Sequence, residues 1–139
     1  MTISEMSNQK KSVMLARLAG FGVLNTMSGE PRRVFCDPYG SQAGGSLYYS
    51  VAKNLTKAEE FSVLCPDFYN PANMAHLATA LAWFAGLSHW EPHIGKWAKF
   101  MQHLTDGMTP LHLHEWMCKS ADAGIGLAIE AGLIQDAPN

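Results

Sequence analysis

Arg33-Val34-Phe35-Cys36-Asp37-Pro38-Tyr39-Gly40-Ser41-Gln42-Ala43-Gly44-Gly45-Ser46-Leu47-Tyr48-Tyr49-Ser50-Val51 decides between an all-helical chain and a mixed one. Its two ends, residues 33–36 and 46–51, are rich in β-branched and aromatic residues, which suit a pleated, half-buried surface. The middle, residues 37–45, is turn chemistry: proline presets φ and glycine admits positive φ. The pattern predicts a β-hairpin with a long, mobile tip.

Outward from the hairpin the periodicity turns helical. Toward the N-terminus, Met14, Leu15 and Leu18 predict a short helix over residues 10–19, stopped by Gly20 and Gly22. Residues 1–9 are polar and read as a mobile lead-in. Toward the C-terminus, Thr56-Lys57-Ala58-Glu59 is a capping box that opens a helix over Lys57–Leu64, which Cys65-Pro66 ends. Asn70-Pro71 pairs a good N-cap with a proline at the first helical position. Met74, Leu77, Ala78, Leu81, Phe84 and Ala85 follow at three- and four-residue steps, so a core-forming helix is predicted over residues 71–85. Residues 93–104 also have helical spacing. Thr109-Pro110 reads as a further helix start, and a last helix is predicted over residues 121–134, its Gly124, Gly126 and Gly132 offset by close approach to another element. Residues 135–139 should fray. The expected fold is α+β: a single, predominantly helical domain with an N-terminal β-hairpin.

Composition narrows the function. The chain has 139 residues, enough for one domain with a real core. Charged residues are only 16%, below the roughly 25% of an average soluble protein, which leaves apolar surface for a partner. Ten basic against twelve acidic residues do not supply the clusters that general nucleic-acid binding needs. Cys36, Cys65 and Cys118 are odd in number and form no CxxC, so reduced cytosolic thiols are expected rather than a disulfide framework or zinc ribbon. No targeting segment is convincing, because Arg17 interrupts the apolar run after Lys10-Lys11. Residues 74–87 are too few to span a bilayer. A cytoplasmic location without membrane contact is expected.

Reactive constellations are sparse. Gly40–Gly45 lacks the Lys-Ser/Thr ending of a phosphate-binding loop, and no G-x-S-x-G elbow occurs. None of the cysteines stands in a catalytic motif, and no acid/base pair is placed together by spacing. Five of the six histidines fall between residues 89 and 114. On a strand, His112 and His114 would face one way and could share an ion with His103 or Asp106; on a helix they diverge by roughly 200°. A chain without catalytic residues, cofactor or metal is therefore expected, with the His112/His114 metal site as an alternative. Partner contacts are expected at a hairpin tip around Arg32, Arg33 and Tyr39, and at a loop carrying Trp90 and Glu91, since arginine and exposed aromatics suit interface hot spots.

Residues 66–133 carry a resemblance. Pro66-Asp67-Phe68-Tyr69-Asn70-Pro71, the helix Ala78–Trp83, Trp97-Ala98-Lys99-Phe100 and the small-residue helix Ser120–Ala131 resemble small phage and prophage proteins with a phage ABA-sandwich domain. That resemblance implies an α+β fold with a strand where residues 97–104 have helical spacing. It also implies an accessory protein of a mobile element, acting in the host cytoplasm. By analogy with such proteins, the expected function is to bind and block a host protein or complex of a defence system, such as a CRISPR effector. A self-associating structural or chaperone-like phage component, forming a homo-oligomer, is the other expectation.

Overall fold

The computed structural model describes residues 3–26, 29–85 and 113–132. Within them the chain is α+β with helix dominant, and the hairpin is present. Residues 93–104, Trp90, Glu91 and His112 lie outside the described residues.

Helix α1 spans Asn8–Ala19. Ser7 caps it by accepting from the Lys10 amide. Gly20 closes it in the left-handed region at φ 88°. The amides of Gly20 and Phe21 reach back to the carbonyls of Arg17 and Ala16, a Schellman closure that only glycine enters without steric cost. The predicted stop is thus real. The lead-in is not idle, however: Ile3–Glu5 forms a 3-10 turn, and Met6 is buried in the core.

Strands β1 (Gly22–Asn25), β2 (Arg32–Cys36) and β3 (Gln42–Tyr48) form an antiparallel sheet in the order β1-β2-β3. β1 was not read from the sequence. Its four residues are too short for a period-2 signal, and pairing with β2 is what makes them a strand. The hairpin tip is also shorter than expected, covering Asp37–Ser41. Asp37 ties it down: Oδ1 accepts from the amides of Tyr39 (2.9 Å) and Ser41 (3.0 Å), and Gly40 turns the chain at φ 89°. The glycine-rich remainder belongs to β3. Val34 pairs with Ser46 but Cys36 pairs with Gln42, so Ala43, Gly44 and Gly45 bulge opposite Phe35. The sequence had extended the second strand to Val51; instead Tyr49–Ala52 makes one turn of helix, α2.

Helix α3 spans Lys57–Leu64 as predicted, with both bonds of the Thr56/Glu59 capping box made. It lies on the face of β2 that carries Arg33 and Phe35. Phe61 meets Phe35 edge-on at 5.0 Å, and Phe21 bridges Phe35 and Phe68. The end of α3 rests on the bulge: a Cβ at Gly44 would stand 2.6 Å from the Leu64 carbonyl oxygen.

Asn70-Pro71 starts a helix as predicted, first as a 3-10 turn (Pro71–Asn73) and then as α4 (Met74–Ala85). Its inward face is Leu77, Ala80 and Leu81, while Ala78, expected inside, is exposed. The final helix, α5, runs unbroken over Leu113–Glu130. A boundary between two helices had been expected near Ser120, but its hydroxyl bonds back to the Trp116 carbonyl (2.8 Å) within the helix. Gly132 at φ 77° follows the end. Gly126 does not mark a close approach, since a Cβ there would sit 3.7 Å from Ile3, an ordinary contact. α1, α4 and α5 touch one another pairwise and form the helical layer of the core.

Candidate functional site

Antiparallel register separates the sequence-selected residues. Tyr39 sits at the tip of the hairpin and is 73% exposed. Arg32 and Arg33 begin β2, at the opposite end of the same hairpin, so the structure does not bring the three together as one tip. Alternation then sends the two arginines to opposite faces of the sheet.

Arg33 points to the α3 face and is committed. Its Nε and Nη2 donate to Glu60 Oε2 (2.9 Å) and Oε1 (2.8 Å), and Nη1 donates to Asn25 Oδ1 (2.7 Å). This planar fork-to-carboxylate geometry is the strong form of ion pair. Glu60 is nearly buried, with 7% of its side chain exposed. Hydrogen bonding to Arg33 holds its carboxyl below the usual glutamate range, against an opposing push from burial. Asn25, Arg33 and Glu60 line an open cleft of about 590 Å³ together with Tyr49, Ser50, Ala52 and Lys53 of the α2 region.

The Arg33–Glu60 pair has a pH signature. Glu60 releases its proton more readily folded than unfolded. Its stabilising contribution is complete above the ordinary carboxylate range and is lost as pH falls through the depressed folded value. Between pH 5 and pH 3 the urea midpoint of the wild type should therefore fall more than that of Glu60→Gln. Equal falls would show that the pair carries none of the acid sensitivity.

Arg32 points the other way and is less well satisfied. Its guanidinium stacks over the Tyr48 ring at 4.2 Å, the partner across β3. Its Nε is buried with no hydrogen-bond acceptor among the described residues. On its face at this end of the sheet, Leu24, which pairs with Val34, and Tyr48 are 51% and 41% exposed. Sequence reading had placed Tyr48, Tyr49 and Val51 in a strand and assigned them no role. Their alternation held no sign that the strand would end at Tyr48 and turn the next residues outward.

The remaining candidates divide. Trp90 and Glu91 lie outside the described residues. His112 does as well, whereas His114 stands in the first turn of α5, so the strand that would align the two imidazoles does not extend to it. Among the described residues no group of three histidine, cysteine or acidic side chains is placed to hold a metal. Cysteine neighbours were underread: Cys118 Sγ lies 3.5 Å from His114 Nε2, one helical turn away. The His-x-x-x-Cys spacing was the available signal. Burial and the Asp122 carboxylate push this thiol up to about 11, the reverse of an activated nucleophile. Cys65, buried at the end of α3, is pushed up to about 12 for the same first reason.

No family model matches the chain, and no curated protein or solved structure does either. Among the described residues no helix is long and apolar enough to cross a membrane.

Proposed function

We propose that this chain is a non-enzymatic binding protein that docks on a host protein complex through the Arg32 end of its sheet. The supporting observation is the Arg32 guanidinium stacked on half-exposed Tyr48, with its buried Nε meeting no acceptor among the described residues. A partner that supplied an acceptor to this Nε would recover about 1–3 kcal/mol, the usual cost of an unpaired buried donor. Arginine and tyrosine beside an exposed apolar side chain, here Leu24 on the same face of the sheet, are the composition of an interface hot spot. By analogy with the phage ABA-sandwich proteins that residues 66–133 resemble in sequence, the partner proposed is a defence complex such as a CRISPR effector.

The test is co-elution of the purified chain with reconstituted CRISPR effector complexes, together with phage plaque counts on CRISPR-immune cells expressing it. Binding is expected, with plaque recovery of at least tenfold. Arg32→Ala with Tyr48→Ala should weaken binding at least a hundredfold, as two hot-spot truncations of about 2 kcal/mol each imply, while the melting temperature stays close to wild type. Sedimentation of the chain alone should show a monomer. A stable homo-oligomer that the same substitutions dissociate, with no effector bound, would move the assignment to a self-associating structural component.

A further inference from the structure

We propose that His114 and Cys118 form a clip for a soft transition-metal ion such as Zn²⁺, on a face of α5 that the binding surface does not use. The two side chains are separated by four residues, so a single helical turn stacks them. Cys118 Sγ stands 3.5 Å from His114 Nε2 and 3.9 Å from Nδ1. A tetrahedral ion with a metal–sulfur distance of about 2.3 Å and a metal–nitrogen distance of about 2.0–2.1 Å needs its sulfur and nitrogen about 3.5 Å apart. The Sγ–Nε2 separation already matches that spacing.

Charge around the thiol is mixed: Asp122, one turn further along α5, Asp67 and Glu115 act on Cys118 with negative charge, and Lys11, paired with Asp122, opposes them. An ion that binds the sulfur displaces its proton. Both Cys118 and His114 are only partly buried, so an ion has access from solvent. With two protein donors among the described residues, the remaining coordination positions are open to water or to groups of a partner. The site differs from the one composition had raised, because His114 is matched with a thiol on its own helix rather than with His112.

Titration of the reduced, full-length chain with Co²⁺ tests this directly. A thiolate-to-cobalt charge-transfer band is expected, saturating near one equivalent and competed away by Zn²⁺. The band should vanish in Cys118→Ser. His114→Ala should weaken binding at least tenfold, and affinity should rise with pH as the thiol proton becomes easier to displace. Zn²⁺ should also slow alkylation of Cys118 by iodoacetamide in the unmodified protein, a readout that does not depend on any variant folding. Absence of the band in the wild type, its persistence in Cys118→Ser, or alkylation of Cys118 unaffected by Zn²⁺ would overturn the assignment.

Discussion

Gly44→Ala is expected to destabilise the fold by about 3 kcal/mol, the upper part of the usual range for overpacking. A methyl group at this position would stand 2.6 Å from the Leu64 carbonyl oxygen, 3.0 Å from Pro66 Cδ and 3.1 Å from the Phe35 ring. None of the three can step aside cheaply. The carbonyl is backbone, Pro66 is a ring in the chain, and Phe35 is fully buried between Phe21 and Phe61. The alternative to strain is to lift α3 off the sheet, which would expose that aromatic contact and loosen the Arg33–Glu60 pair. Urea denaturation is the measurement. Gly40→Ala serves as the control: its Cβ would meet nothing within 4 Å, although its positive φ carries a backbone cost of about 1 kcal/mol. If Gly44→Ala costs no more than Gly40→Ala, the close approach of α3 to the bulge is wrong.

The second large effect lies on the other side of the core, where opposite ends of one ion pair should respond differently. Lys11 is buried on α1, and its Nζ reaches Asp122 Oδ1 on α5 at 3.0 Å. The same oxygen accepts from the Tyr69 hydroxyl at 2.6 Å, and the ammonium lies 4.4 Å from the Tyr69 ring centroid. Asp122→Ala strands the ammonium and the phenol together. Breaking a buried pair this way costs about 3–5 kcal/mol; since 38% of Asp122 is exposed, about 3 kcal/mol is expected. Lys11→Met keeps the apolar stem, and leaves Asp122 with its Tyr69 bond and access to water. It should change stability by less than about 1 kcal/mol. Equal losses in the two variants, measured by urea denaturation at neutral pH, would falsify the view that desolvation of Lys11 dominates this cluster.

The alkaline limit of the fold follows from the same cluster. Burial first, and the Asp122 hydrogen bond second, raise the Tyr69 phenol above its ordinary range. Cys65 shares the direction. Both groups stay protonated in the folded chain while the unfolded chain ionises, so the stability they confer is full at neutral pH and declines as pH climbs past the ordinary thiol and phenol values.

Local chemistry was legible in the residues themselves. Thr56 and Glu59 satisfy each other's backbone groups three positions apart, Asn70-Pro71 starts a helix, and Gly20 ends one, because each device acts within a turn of chain. The hairpin could be read for the same reason, as could the α+β class that follows from it. What the residues could not state was which side of an element would be covered. Arg32 and Arg33 look equivalent in sequence; register gives one to Glu60, 27 positions away, and stacks the other on Tyr48. Lys11 finds Asp122 only when α1 packs on α5. His114 and Cys118 became neighbours once residues 113–130 proved to be one helix, and that continuity is supported by Met117, Ala121, Ile125 and Ala128 buried along a single face. Caps and turns are settled by bonds between near neighbours, whose cost in chain entropy is small. Ion pairs across the core, the β1 pairing and the outward turn at Tyr49 depend on segments brought together from a distance, and packing alone decides which of them meet.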